Sequence, residues 1–384
     1  MSVTAAKGFR AAGVAAGLKS GGGLDVALVI NDGPKDAAAA VFTSNRCKAN
    51  PVLWSERTAA DGRLRAVVLN SGGANCYTGP EGFELTHATA EKVAELAGVS
   101  ALDVLICSTG LIGPMFDREH MLAGVTAADQ ALSADGGSDA AHAIMTTDTV
   151  AKQAVHTSPG GWTIGGMAKG AGMLAPALAT MLVVITTDAD VDRAGCDAAL
   201  RGATAVSFDR LDSDGCQSTN DTVALLASGA SGIIPDDAEF AEAVRLVCLD
   251  LAHQLLADAE GADHEISIEV LHAASETDAV EVGRSVARSN LFKAAIFGKD
   301  PNWGRILAGV GTTTAAFDPA DLDVALNGVW VCRKSAPGES ADAIDLTGRQ
   351  VSVTIDLKAG DATATIWTND LTHAYVHENS AYSS

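Results

Sequence analysis

Residues 170–185 set the terms for any fold this chain can take. A Gly/Ala/Pro-rich approach, Lys169-Gly170-Ala171-Gly172-Met173-Leu174-Ala175-Pro176-Ala177-Leu178-Ala179, runs into Thr180 and then into the apolar run Met181-Leu182-Val183-Val184-Ile185. At sixteen positions, with Pro176 and Thr180 inside it, the stretch falls short of the roughly 20 apolar residues a membrane-spanning helix needs. Its first half suits neither a helix nor a central strand, because glycine and proline weaken both. Its second half reads as a buried strand. The pattern therefore predicts a strand at 180–187 entered through a close-packed loop, with Thr180 at the junction.

The chain has 384 residues, enough for about two or three domains and for a core that needs neither metal nor disulfide. Aromatic residues are only 4% and glycines number 39, so small side chains must do much of the packing. A net charge of −22, from 26 basic and 48 acidic residues, repels phosphate backbones and anionic lipid. Nucleic-acid and membrane-surface roles are disfavoured. The N-terminal Ala/Gly stretch is too thinly hydrophobic for a signal-peptide core. Seven scattered cysteines, none in a CxxC pair, fit packing in a reducing compartment better than a disulfide framework. The expectation is a soluble cytoplasmic protein.

Further runs of strand length lie at 25–30, 65–69 and 104–107, with helix segments as the alternative for the first two and for 180–187. Val351, Val353, Ile355 and Leu357 alternate with Ser352, Thr354 and Asp356, the period of a half-buried strand. After Pro235-Asp236-Asp237, the residues Phe240, Val244, Val247, Leu251 and Leu255 recur every three or four positions, which predicts a helix with acids at its start. Two more helices are expected at 84–96 and 191–206. This alternation argues for an α/β fold of layered, mixed sheets with helices.

Several chemistries find no motif. There is no GxxxxGK loop, no GxGxxG before a helix, no HExxH and no GxSxG elbow, so no nucleotide cofactor is expected. His373 and His377 would share a face only on a helix, and with no third ligand in sight they and His264 read as packing or surface residues. No metal is expected. Asp236-Asp237 reads as a solvated helix start.

Thr180 has two readings. One is a threonine that merely opens a strand. In the other, its hydroxyl attacks the Ala179 carbonyl, and an N-to-O acyl shift followed by hydrolysis leaves Thr180 with a free α-amine. That amine, with a reference pKa of about 7.7–8.0, can serve as general base for its own hydroxyl.

The segment 169–176, followed by Ala179-Thr180-Met181-Leu182, resembles the self-cleavage segment of the ornithine acetyltransferase (glutamate N-acetyltransferase) family of bifunctional arginine-biosynthesis proteins. The resemblance extends over nearly the whole chain. It includes Asn70-Ser71-Gly72 with Ala74-Asn75, Cys107-Ser108-Thr109-Gly110-Leu111-Ile112-Gly113, and Met145-Thr146-Thr147-Asp148-Thr149. It continues through Ser218-Thr219-Asn220-Asp221-Thr222, Asp300-Pro301-Asn302-Trp303-Gly304-Arg305 and the ending Asn379-Ser380-Ala381-Tyr382-Ser383-Ser384.

The resemblance implies an N-terminal-nucleophile-like architecture built jointly by two autocleaved fragments, 1–179 (alpha) and 180–384 (beta). It implies cleavage between Ala179 and Thr180 and transfer of acetyl from N2-acetyl-ornithine to glutamate through an ester on Thr180. An assembly of two alpha and two beta fragments goes with it, and acetyl-CoA as a further donor stays open. Thr109 and Gly110 match the oxyanion pair, where a simple turn after a strand is the plain alternative. Thr147, Lys169, Thr180, Glu260, Asn379 and Ser384 match substrate-binding positions. Lys169 suits a carboxylate and Glu260 an amine, although either charge taken alone would read as surface. Within its motif, Thr147 competes with Thr146 and Thr149. The chain departs from the family pattern at Gly73 and at Asp263-His264, which leaves acceptor preference open. An aminopeptidase or amidase of the same self-cleaving architecture is the enzymatic rival, and an uncleaved binding protein the non-enzymatic one.

Overall fold

The computed structural model describes residues 2–172 and 181–381. Its framework is decided at the strand Leu182–Thr187, which is buried along its whole length. Because successive side chains point to opposite faces, this strand must be covered twice. Leu182 and Val184 pack into one hydrophobic cluster, while Val183 and Ile185 pack into another. Each fully buried side chain of this size contributes on the order of 1.5–3 kcal/mol.

The strand lies at the centre of a five-stranded sheet in the order Ala37–Phe42, Thr222–Ala227, Leu182–Thr187, Thr163–Lys169, Lys152–Thr157. Only the pairing of Leu182–Thr187 with Thr222–Ala227 is parallel. A second sheet of four strands (Phe9–Val14, Val26–Asn31, Ala66–Asn70, Val104–Ser108) stacks on it face to face. Val29, Val67, Leu69, Leu105 and Cys107 from this sheet meet Met167, Leu182, Val184, Ala224 and Leu226 from the first. Helices cover both outer faces. Asn50–Thr58, Gly79–Ala97 and Arg118–Ala131 pack on the four-stranded sheet, and Arg193–Ala205 with Asp237–Ala257 pack on the five-stranded one. The result is a helix/sheet/sheet/helix sandwich, the layered mixed-sheet α/β fold that the sequence predicts.

A third sheet of six strands carries three helices (Glu276–Ala287, Asn290–Phe297, Trp303–Val310) on one face. It contains the alternating strand Gln350–Asp356, with Val351, Val353 and Ile355 buried. The helix Asp237–Ala257 starts as expected, with Asp236 accepting the N–H groups of Ala238 and Glu239. The helix expected at 84–96 begins earlier, at Gly79, because Pro80 can occupy the first turn without losing a hydrogen bond. Five of the seven cysteines are buried and all are free thiols.

The expected division at 179/180 does not follow the sheets. Ala37–Phe42, Lys152–Thr157 and Thr163–Lys169 precede it, while Leu182–Thr187 and Thr222–Ala227 follow it, yet all five form one sheet. Lys169 pairs directly with Leu182 across it.

Candidate active site

The site gathers where strands of both stacked sheets end. Val104–Ser108 runs parallel to Ala66–Asn70, and Thr109 follows it with its N–H donating to the Asn70 carbonyl at 2.9 Å. Thr109 is buried. Gly110 adopts φ +131°, and a Cβ there would fall 2.8 Å from the Gly73 Cα. Only glycine gives both that conformation and that approach.

Lys169 ends the strand Thr163–Lys169 and is 1% exposed. Its Nζ donates to Thr146 Oγ1 at 2.8 Å and to Thr109 Oγ1 at 3.3 Å, and lies 3.8 Å from Asp148 Oδ2. Burial lowers the Lys169 pKa, an effect opposed chiefly by Asp148. Burial would push Asp148 up in turn, but Lys169, Lys152 and the hydrogen bonds from Lys152 and Gly170 outweigh it and hold the carboxyl at about 2. Asp148 accepts the N–H groups of Thr146 (3.0 Å) and Gly170 (2.7 Å). It thus fixes the loop before Lys152–Thr157 and the exit from Lys169 together.

Glu260 sits between the helix Asp237–Ala257 and the strand Glu265–Ala273, held by its N–H donating to the Ala171 carbonyl at 3.0 Å. Asn379, on the helix His373–Ala381, donates to Glu260 Oε2 at 3.1 Å. A cavity of about 350 Å³ is lined by Thr109, Gly110, Thr146, Thr147, Lys169, Glu260 and Asn379 among others. A second of about 560 Å³ shares Thr147, Glu260 and Asn379 with it and extends to Arg349 and His377. The combined space offers one buried cation, Lys169, three carboxylates of which Glu260 faces both cavities, and several hydroxyls, a donor set suited to a small zwitterion. A groove of similar size beside the strand Ala37–Phe42 contains none of these residues, so size alone does not mark the site.

The ArgJ family profile matches residues 10–384. The chain belongs to the ArgJ family. The arginine biosynthesis bifunctional protein ArgJ of Streptomyces coelicolor is 62% identical over 384 residues, covering 100% of both chains. The ArgJ protein of Streptomyces avermitilis is 64% identical over the same span and coverage. A solved structure of ornithine acetyltransferase complexed with ornithine, from Mycobacterium tuberculosis, is 54% identical, with a TM-score of 0.45. It covers 47% of this chain and 96% of that one.

In this ArgJ-family chain, Thr109, Gly110, Thr147, Lys169, Glu260 and Asn379 all line one cavity. Ala179, Thr180 and Ser384 lie outside the described residues. The nearest described residue to the expected nucleophile is Met181, whose N–H donates to Asp221 Oδ1 at 3.0 Å. Among the three competing threonines, Thr147 lines both cavities, Thr146 lines the smaller one and takes the Lys169 hydrogen bond, and Thr149 lines the larger one, bonded to Asp258.

The departures from the family pattern sit behind the cavity. His264 is buried, with Nδ1 2.7 Å from Asp370 Oδ2, and the N–H groups of Asp263 and His264 both donate to Asp370. The Gly73 backbone lies close to Gly110, whereas a Cβ on Gly73 itself would meet the Phe116 ring at 3.0 Å. His373 and His377 do share a helix. Among the described residues no group of three His, Cys, Asp or Glu is arranged to hold a metal ion, and no helix is long and apolar enough to cross a membrane.

Sequence reasoning gave no role to Asp148, Lys152, Asp221 or Asp258. Asp148 and Asp221 lie within motifs that the resemblance rests on, and Asp148 and Lys152 stand four apart. Nothing in the sequence pairs Lys152 with Asp258, more than a hundred positions away.

Proposed function

We propose that this chain is a self-processing acetyltransferase of arginine biosynthesis that moves acetyl from N2-acetyl-ornithine to glutamate. The observation that carries the reading is the convergence of Thr109, Gly110, Lys169, Glu260 and Asn379 on one cavity, close to the start of the strand that follows Thr180. Full-length identity above 60% to bifunctional ArgJ proteins supports acyl transfer to an amino acid over hydrolysis.

Cleavage at Ala179-Thr180 frees the α-amine of Thr180. That amine accepts the hydroxyl proton as the oxygen attacks the acetyl carbon, so an amide-to-amide exchange is split into two ester steps. Thr109, through its hydroxyl, and Gly110, through its N–H, stabilise the oxyanion. Lys169, with Thr147, takes the substrate carboxylate, and Glu260 with Asn379 takes the amine. Ser384 completes the set of substrate-binding residues. Fragments 1–179 and 180–384 stay joined because they share the five-stranded sheet. Two copies of each make up the assembly, and acetyl-CoA serves as a second donor to Thr180.

The test is to mix enzyme, N2-acetyl-ornithine and glutamate and follow products. Accumulating N-acetyl-glutamate with free ornithine is expected, whereas free acetate alone would overturn the reading in favour of a hydrolase. N-terminal sequencing of the smaller-numbered end of the second fragment should give Thr-Met-Leu-Val, and Thr180→Ala should remain one uncleaved, inactive chain.

A further inference from the structure

The Lys169 ammonium serves two hydroxyls at once, Thr109 Oγ1 and Thr146 Oγ1. A threonine hydroxyl has one proton and two lone pairs, whereas an ammonium has only protons to give. Each hydroxyl that accepts from Lys169 therefore has its own proton directed away from Nζ. Among the described residues neither Oγ1 donates a hydrogen bond to any protein acceptor, and both residues line the same cavity of about 350 Å³. Among the described residues, two hydroxyl protons are thus left without a protein partner around one buried cation.

Thr109 already has a role in such an arrangement, and Thr146 stands in the same relation to Lys169 at a shorter distance. Its main chain is fixed as well, because its N–H donates to Asp148 Oδ2 at 3.0 Å. Asp148 is also the carboxylate closest to balancing Lys169, 3.8 Å away. One buried charge pair therefore fixes where the Thr146 oxygen sits and turns its proton away from Nζ. Such preorganised donors stabilise developing charge without reorganisation.

We propose that Thr146 is a further catalytic residue, a second hydroxyl donor to the acyl oxygen, aimed by Lys169 just as Thr109 is. The proposal rests on the acetyl-transfer reading above. In that step the Thr180 oxygen bonds to the acetyl carbon, the carbonyl π pair moves onto its oxygen, and the hydroxyl proton passes to the Thr180 α-amine. Collapse returns the pair, breaks the bond to the ornithine nitrogen, and delivers that proton to the departing amine. The Thr146 proton is never transferred; it is shared with the oxygen while that oxygen is charged.

The experiment compares processed wild type, Thr146→Val, Thr146→Ala and Thr146→Ser. Acetyl-enzyme formation from p-nitrophenyl acetate is followed by the nitrophenol burst and by mass spectrometry, in parallel with exchange between N2-acetyl-ornithine and glutamate. Losing one oxyanion donor costs on the order of 10²–10³ in kcat, so Thr146→Val and Thr146→Ala should both slow acylation by about that factor at little-changed KM. Thr146→Ser should recover most of the rate. A raised KM at unchanged kcat, or a serine variant as slow as the valine one, overturns the proposal, since those outcomes mark a ground-state contact or a packing role. A wild type that forms acetyl-enzyme but passes no acetyl to glutamate overturns the proposed acceptor and leaves the Thr146 comparison readable. Thr146→Ala supplies the reading if Thr146→Val folds poorly.

Discussion

The Asp221 carboxylate accepts the backbone N–H of Met181 through Oδ1 at 3.0 Å, one residue past the expected nucleophile Thr180. The strand Thr222–Ala227 begins one residue later and pairs in parallel with Leu182–Thr187, so Asp221 ties the entry of one strand to the other. Burial pushes its pKa well above the carboxylate range, against the opposing hydrogen bonds of Met181 and Ser218. Among the described residues Oδ2 has no hydrogen-bond partner. The Thr43 hydroxyl, although near, donates instead to the Ser218 carbonyl at 2.7 Å.

A neutral acceptor should therefore replace this carboxyl. Asp221→Asn keeps an oxygen for Met181 and is expected to fold and to process like wild type at neutral pH. Asp221→Ala leaves a buried N–H unpaired, which costs about 1–3 kcal/mol, and should slow appearance of the two fragments on denaturing gels. Equal processing by the two variants would show that the bond to Met181 has no part in presenting the scissile bond.

Acid should loosen the site through Asp148. Its carboxyl titrates at about 2 in the folded protein, below a reference value of about 3.9. A depressed carboxyl stabilises the fold above its unfolded pKa, and that contribution fades as pH falls from about 4 toward 2. The shift corresponds to roughly 2–3 kcal/mol. Thermal melts between pH 5 and pH 2 should show a steeper loss for wild type than for Asp148→Asn, which starts lower at pH 7 and has no proton to take up there. Parallel curves would rule out Asp148 as the group responsible.

How far the sequence spoke depended on whether an interaction is local. The buried run at 181–185, the alternation through Val351 and Ile355, and the Asp236 cap each follow from periods and neighbours within one element, and each appears where expected. The stacking of the two sheets has no such local signature, because the side chains of Leu69 and Leu226 meet only after two separate sheets have formed. In the site, Thr109, Lys169 and Glu260 were legible through motifs. Their supports were not, since Asp148 reads as one more acid in a chain that has many. Lys152 reads as an ordinary surface charge until the fold buries it completely.

Two glycines should separate chemistry from binding. A side chain at Gly110 meets both a positive φ and the Gly73 backbone at 2.8 Å, so Gly110→Ala must distort the loop proposed to hold the oxyanion. Its kcat should fall by on the order of 10²-fold or more. A Cβ at Gly172 would instead lie 2.7 Å from both carboxylate oxygens of Glu260. That side chain can move, so Gly172→Ala should raise the KM of the amine-bearing substrate more than it lowers kcat. The opposite split, measured in steady-state transfer assays, would reverse the roles given to the two loops.

A buried charge cluster joins the two expected fragments. Lys152 is fully buried and donates to Asp148 from its own side of the 179/180 division and to Asp258 from the other. Thr149 also bonds Asp258, through its N–H at 2.9 Å. Removing the cation leaves two carboxylates buried together, and breaking such a pair costs about 3–5 kcal/mol. Lys152→Ala should therefore lower the melting temperature strongly and promote separation of the processed fragments in dilute solution. Asp258→Ala alone leaves the lysine its other partner and should cost less. Because the groups share one network, the Lys152→Ala/Asp258→Ala double variant should be less destabilised than the sum of the singles. Strict additivity in urea melts would mean that the contact across the division contributes nothing beyond its separate parts.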